Sequence, residues 1–412
     1  MGIIEMESFF KNVVVGPPNS TLSLLKAFAE DKNPVKVNLC IGAYRTSDNQ
    51  PYVLPVVRKT EARIVENRKI NHEYLPSCGQ QNFTTSAIEL LLGEDSIAIN
   101  ENRVHGIQSI SGTGALRLGA EFLFNVLGHK TVYMSNPTWE NHERIFGRVG
   151  FTDIRSYRYW NSETRSVDID GMLDDLDYAP QGAVVLLHAC AHNPTGSDPT
   201  PDQWIRIANT IERKNLFVFF DSAYQGFASG DTNKDAFSVR YFISRGFELL
   251  CAQSFSKIFG LYAERVGCLI VVHNESSTIA AVTDQITNII YDSYLNPPGY
   301  GACIIETVLN DNELYEEWQN DLKLMSNRIR SIRKSLYDEL IHLKTPGSWN
   351  HIIDQIGMFS YTGLNENQVD TLINEHHVYL RRNGRISLCG LNESNVTYVA
   401  KAIHAAITSI SN

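Results

Sequence analysis

At 412 residues, with 43% hydrophobic and 20% charged side chains, the chain has the makeup of a soluble globular protein and too much apolar content for a disordered one. Its length exceeds what a single core usually serves, so two domains are expected. The formal charge of -10 argues against nucleic acid or an anionic membrane as partner, and any anionic ligand must be held by local arginines.

The seven cysteines are scattered, mostly inside apolar runs, and form no Cys-x-x-Cys pair, the pattern of reduced core residues. The first ten residues carry neither a secretory core nor an arginine-rich amphipathic pattern, so a cytoplasmic location is expected. No His/Cys cluster of metal-site spacing suggests a metal.

In chain order, Pro17-Pro18 predicts an extended arm and Thr21 to Phe28 a short helix. Val37 to Arg45 reads as a short strand that ends at a glycine, Gly42, where a backbone can come close to a ligand. A helical pattern from Pro55 to Arg68 runs into His72-Glu73-Tyr74-Leu75-Pro76, a turn whose tyrosine suits either core or site. Ser111-Gly112-Thr113-Gly114 follows an apolar segment and opens a helix, so free N–H groups and the helix dipole face whatever lies before it. That arrangement suits a phosphate, and it has neither Walker nor dinucleotide-fingerprint spacing.

Five apolar runs read as strands: Thr131 to Ser135, Ala183 to Ala189, Phe217 to Phe220, Glu248 to Gln253 and Arg265 to Val272. Such continuous apolar strands, separated by helix-length segments, indicate a mostly parallel sheet covered on both faces. Polar residues gather just past the strand ends: Trp139 and His142, then His192-Asn193-Pro194, then Asp221-Ser222-Ala223-Tyr224. This is the ligand edge of an open α/β sheet. Ser254-Phe255-Ser256-Lys257 closes the fourth run and reads as a buried strand ending in a lysine, with Arg265 eight residues on. Desolvation there lowers a lysine's pKa toward the range of Schiff-base chemistry, and two serines with an arginine suit a phosphate.

Past Pro297-Pro298-Gly299 the character changes. Leu314, Trp318, Leu322, Met325, Ile329, Ile332, Leu336 and Leu340 recur at helical spacing, predicting a long helix able to bridge two domains. The tail reads as a smaller α/β unit completed by the N-terminal segment. The expected division is 1–51 for the arm and part of the small domain, 52–324 for the large domain and 325–412 for the rest of the small one.

Three stretches, His188 to Gly196, Phe220 to Gly230 and Ser254 to Lys257, resemble a fold-type I pyridoxal phosphate enzyme and, more narrowly, the aspartate aminotransferase family. The resemblance runs from Val37 to Leu391. It implies a seven-stranded large domain, pyridoxal 5'-phosphate as cofactor, small amino and oxo acids as substrates, and a homodimer with shared sites. It further implies that Lys257 carries the cofactor and moves the substrate proton, that Asp221 pairs with the ring nitrogen backed by His142, and that Asn193 and Tyr224 bond the ring oxygen. Trp139 stacks on the ring. The phosphate lies among the N–H groups of Ser111, Gly112 and Thr113, the Ser254 hydroxyl and Arg265, with Tyr74 reaching it from the other subunit. Arg385 clamps the substrate α-carboxylate, with Gly42, Trp139 and Asn193 beside it.

Three positions depart from the family pattern. Glu140 stands where a glycine follows the tryptophan, Cys40 replaces another glycine, and Tyr291 occupies the place of the arginine that binds the distal carboxylate. No lysine or arginine occurs from Asn274 to Leu322. The expected reaction is therefore transamination between aspartate and 2-oxoglutarate, with an aromatic or broad-specificity aminotransferase as the alternative. A β-lyase or decarboxylase would share Lys257 and Asp221. An inactive binding protein on this scaffold would be expected to have lost the lysine.

Overall fold

A computed structural model of the chain describes residues 8–16 and 20–409; Pro17 and Pro18, expected to extend the arm, lie outside the described residues. A seven-stranded sheet is built from β1 (Val104–Ile110), β2 (Thr131–Asn136), β3 (Asp153–Arg158), β4 (Val184–His188), β5 (Phe217–Ser222), β6 (Leu249–Ser254) and β7 (Val266–Val272). The spatial order is β1-β7-β6-β5-β4-β2-β3. Only β7 runs against its neighbours, pairing antiparallel with both β1 and β6.

The central strands alternate their side chains between two cores. Val184, Leu186, Phe219 and Leu250 join the layer under the helix Ser111–Glu121, while Val185, Leu187, Val218, Phe220 and Cys251 join the larger layer on the other face. Burial on both faces explains why these strands read as unbroken apolar runs. The helix Ser111–Glu121 sits hard against the sheet: a Cβ on Gly119 would lie 2.4 Å from the Phe219 ring. β3 has no such run, because as an edge strand it buries only Tyr157.

Two local expectations are corrected. Only Val37–Asn38 of the segment from Val37 to Arg45 is strand, paired parallel with Val378–Tyr379. The Asn38 side chain takes the Cys40 N–H at 2.9 Å, which turns the chain away from any further ladder. The strand before Lys257 stops at Ser254, so the lysine stands in the turn beyond the sheet edge rather than in the strand.

All eight periodic residues of the long helix, Asn312–His342, are buried. Its start is capped by Asp311, which accepts from the Glu313 and Leu314 N–H groups. Trp318 ties it to the sheet edge by donating to the Ile258 carbonyl at 2.8 Å, one residue past Lys257. In the tail, Phe359–Tyr361 pairs antiparallel with Arg385–Ser387, and Ser387 donates to the Leu39 carbonyl at 2.8 Å. These bonds fasten Cys40 to Gly42 and Arg385 beside the carboxyl edge of the large sheet. Among the described residues no helix is long and apolar enough to cross a membrane, and no cluster of potential metal ligands occurs.

Candidate active site

A cavity of about 480 Å³ opens at the carboxyl ends of β4, β5 and β6. Its floor comes from strand ends and the helix Ser111–Glu121, and its mouth from Thr21 to Leu25, Cys40 to Gly42, Glu140, Arg381 and Arg385. The expected site residues line it except Tyr74, which is 76% exposed, His142, which stands behind Asp221, and Tyr291.

At one end, Ser111, Ser254 and Ser256 meet Arg265. The Ser111 and Ser256 hydroxyls lie 3.2 Å apart, and an Arg265 Nη1 reaches Ser256 Oγ at 3.5 Å. The sequence placed the Ser111 N–H among the phosphate donors, but it is taken: it donates to the Arg265 carbonyl at 2.9 Å. Ser111 thus offers its hydroxyl, and the open N–H groups belong to the next turn, Gly112 and Thr113. Both Ser111 (φ 66°) and Arg265 (φ 56°) adopt the left-handed backbone, a strain of roughly 1–3 kcal/mol each that marks functional turns. Gly112 permits the close seat, since a Cβ there would lie 2.7 Å from Ser254 Cβ. An amide-rich helix start, three hydroxyls and a guanidinium make a cradle for a phosphate dianion.

In the centre, Lys257 and Asp221 share the cavity with Asn193 and Tyr224. Desolvation lowers the Lys257 pKa, Asp221 opposes that, and the charges of Arg265 and Arg385 add to it. The ammonium is 5.6 Å from the centroid of the Tyr224 ring. Burial works to raise the Asp221 carboxyl, but the hydrogen bond from His142 and the charges around it outweigh burial, and the group is held below the usual range. His142 Nε2 is 2.9 Å from Asp221 Oδ2, and behind it Thr138 Oγ1 lies 2.9 Å from His142 Nδ1 and 3.2 Å from His188 Nε2. Burial pushes His188 down to about 3, so it is neutral. Its Nδ1 accepts the Asn193 N–H at 3.3 Å. The Asn193 loop is further held by Asp198, which accepts the Ala191 and His192 N–H groups at 2.6 and 2.9 Å. Burial raises the Tyr224 phenol, which stays a neutral hydroxyl.

At the mouth, Arg385 is 6% exposed and lies 4.0 Å over the Phe359 ring centroid. Its two terminal nitrogens donate to Asn193 Oδ1 at 3.1 Å and to the Cys40 carbonyl at 2.8 Å. Desolvation, helped by Arg381, pushes its pKa down to about 10, which keeps it charged at neutral pH. No carboxylate pairs with it among the described residues, so it is a cation built to receive one. Burial pushes the neighbouring Cys40 thiol up to about 11, against the pull of Arg385 and Arg381.

Several cavity residues escaped sequence reading. Tyr262 lines the cavity through a contact distant in sequence, its hydroxyl accepting the Tyr44 N–H at 2.8 Å. Arg381 meets Glu140 across 241 residues, a separation no local pattern announces. Tyr291, in the place of the distal-carboxylate arginine, is 61% exposed on the helix Ile279–Tyr294 and does not line its own chain's cavity.

The donor set fits one group: a phosphate cradle, a desolvated amine, a carboxylate kept ionised by histidine, and an indole at the wall match the phosphate, aldehyde, ring nitrogen and ring face of pyridoxal phosphate. Residues 34–403 match the family described as aminotransferase class I and II. A relative from Gallus gallus, "Aspartate aminotransferase, cytoplasmic", is 52% identical over 408 residues, covering 98% of this chain and 99% of that protein. The aspartate aminotransferase of Saccharomyces cerevisiae cytoplasm superposes with a TM-score of 0.95 at 43% identity, covering 97% of this chain and 99% of that one. An aromatic-amino-acid aminotransferase from Burkholderia pseudomallei, covalently bound to pyridoxal phosphate, superposes with a TM-score of 0.94 at 38% identity over 97% and 100% of the two chains.

Proposed function

Because this chain belongs to the class I and II aminotransferase family, we propose that its cavity exchanges an amino group between L-aspartate and 2-oxoglutarate, yielding oxaloacetate and L-glutamate by a ping-pong sequence. The single observation that carries this reading is the placement of Lys257, Asp221 and Arg385 in one cavity beside a phosphate cradle. When bound there, pyridoxal 5'-phosphate supplies an electron sink for the pair left when a substrate Cα loses its proton.

The chain's own residues do the rest. Ser254, Ser256, Arg265 and the N–H groups of Gly112 and Thr113 hold the phosphate, which fixes the ring's position before any substrate arrives. Asp221, kept ionised by His142, presents a negative charge that favours a protonated ring nitrogen and so preserves the sink. Trp139 covers one ring face, and Asn193 and Tyr224 offer hydrogen bonds to the ring oxygen. Lys257, its amine basicity reduced by burial, takes the Cα proton and returns it on the other side of the exchange. Arg385 exchanges its carbonyl partners for the substrate α-carboxylate, with Gly42 close by.

Location and assembly follow the same reading. The protein is cytoplasmic, as its relatives' names state, and it works as a homodimer with shared sites. Support for the dimer comes from an arm that leaves Phe9, Val14 and Val15 exposed by 90%, 84% and 98% and from Tyr74, which turns away from its own cavity. Mixing Tyr74→Phe with Lys257→Ala chains tests this: hybrids should recover activity above either parent, and no recovery contradicts shared sites.

A second reading, broad or aromatic specificity, is favoured by Tyr291 in place of the distal arginine. A steady-state panel of amino donors with 2-oxoglutarate decides between them. Aspartate should rank first with measurable use of phenylalanine and tyrosine; aromatic donors leading by tenfold or more would make the second reading the right one.

A further inference from the structure

Two guanidiniums stand at the cavity mouth. Arg381 and Arg385 flank a tight turn in which the Gly384 N–H donates to the Arg381 carbonyl at 2.9 Å and the Arg381 N–H donates to the Arg385 carbonyl at 3.2 Å. That pairing sets the two residues side by side, and both side chains line the cavity. Arg385 is spent on neutral carbonyl oxygens. Arg381 has a carboxylate: its Nη1 reaches Glu140 Oε1 at 3.0 Å and Oε2 at 3.2 Å, and its Nη2 reaches Oε1 at 3.1 Å. Glu140 also accepts from Thr21 Oγ1 at 3.2 Å.

Among the described residues the cations lining this cavity are Lys257, Arg265, Arg381 and Arg385. The first is placed for proton transfer, the second lies at the phosphate end, and the last faces the α-carboxylate position. Arg381 is the one whose charge the reaction has not used. Its pair with Glu140 is partly open, the two side chains being 12% and 37% exposed. The glutamate is the more open end of the pair, the end at which an arriving carboxylate can take its place. Exchanging one carboxylate for another leaves the guanidinium compensated, and the displaced Glu140 keeps access to water.

We propose that Arg381 is the residue that receives the distal carboxylate of dicarboxylic substrates, leaving Glu140 when aspartate or 2-oxoglutarate binds and staying with Glu140 when an apolar side chain enters. This rests on the reading of the cavity as a transaminase site. It also accounts for how a chain with no lysine or arginine from Asn274 to Leu322, and with Tyr291 facing outward, can hold a second carboxylate. Glu140 then acts as a competitor that tunes selectivity between dicarboxylic and apolar substrates.

The test uses the cofactor-loaded protein and follows the first half-reaction by cofactor absorbance, with aspartate and with phenylalanine, alongside titration with unreactive succinate and propionate. Arg381→Leu should lower the aspartate-to-phenylalanine ratio of kcat/KM by about 100-fold, the scale of losing one partner of a partly desolvated charge pair. Succinate binding should weaken similarly relative to propionate, and Arg381→Lys should restore part of both. Glu140→Gln should move the ratio the other way, raising it severalfold. A merely structural role would depress both substrates together, so an unchanged ratio in Arg381→Leu overturns the assignment. Should that variant fail to accumulate as folded protein, Glu140→Gln carries the test, and an unchanged or lower ratio overturns it. A wild type that reacts with neither amino acid instead overturns the transaminase reading, and one that reacts with phenylalanine alone overturns this assignment of Arg381.

Discussion

The floor of the cavity comes from ends of adjacent strands, each buried on both faces, whereas the mouth comes from loops and a turn that meet across as many as 345 residues. In the floor, each reactive group has a second group holding it: His142 behind Asp221, Ser256 beside Arg265, Asp198 under the Asn193 loop. At the mouth, the charged groups hold exchangeable partners, Arg385 on carbonyls and Arg381 on a part-exposed glutamate. The difference teaches that one wall is preorganised for a fixed cofactor and the other is left free to answer whichever substrate arrives.

Substitutions in the floor should therefore change the reaction without changing substrate preference. The largest effect is expected at Lys257. Lys257→Ala should lose about 10⁴-fold or more in transfer rate for aspartate and phenylalanine alike, since among the described residues no other amine lines the cavity. Stopped-flow absorbance with each donor checks it, and turnover near the wild-type rate would remove the lysine from the mechanism.

Asp221→Asn comes next. It should slow Cα proton removal by about 10²- to 10³-fold, the usual loss for one preorganised electrostatic group. The aspartate-to-phenylalanine ratio should stay constant. Proton removal as fast as in the wild type, read by single-turnover exchange of Cα deuterium, would show that the carboxylate does not serve the ring nitrogen.

Gly112→Ala should act on cofactor retention. The added methyl would lie 2.7 Å from Ser254 Cβ and push the helix start off the serine. Retention should weaken about 10- to 100-fold, the range of an overpacked contact. Equilibrium dialysis against pyridoxal phosphate measures it, and unaltered retention would mean the cradle is not where the phosphate sits.

The smallest effect concerns the tether just after the helix Ser20–Glu30, which contributes to the mouth. The Asp31 carboxyl is held down to about 2, chiefly by the Asn33 N–H, against burial, with His377 and Tyr379 adding to it. Because the folded value is depressed, its stabilisation is complete above the usual carboxylate value of about 4 and is lost as pH falls toward 2. Asp31→Asn should lower Tm by about 1–2 °C at pH 7. The gap from wild type should narrow between about pH 4 and pH 2, as differential scanning calorimetry would record; a gap that widens on acidification contradicts the sign.

The same contrast explains what could be read from the sequence. The sheet was legible because strands buried on both faces leave unbroken apolar runs, and the floor residues follow those runs directly, as Asp221 follows Phe217 to Phe220. β3 was not, because an edge strand burying only Tyr157 leaves no such run. The long helix was legible from eight apolar residues on one face. The mouth was partly hidden: Arg385 stood out only through family resemblance, and the Arg381–Glu140 pair joins residues whose neighbours carry no shared pattern. The Ser111 N–H was misassigned for a related reason, since its partner is a backbone carbonyl that no side-chain motif encodes.

The most direct test of the whole account follows one atom. With ¹⁵N-aspartate and 2-oxoglutarate, the cofactor-loaded protein should form ¹⁵N-glutamate and oxaloacetate in a one-to-one ratio, with no labelled ammonia and no release of carbon dioxide by the enzyme. Labelled ammonia in place of labelled glutamate, or alanine formed from aspartate, would contradict transamination and assign the same lysine and aspartate to elimination or decarboxylation.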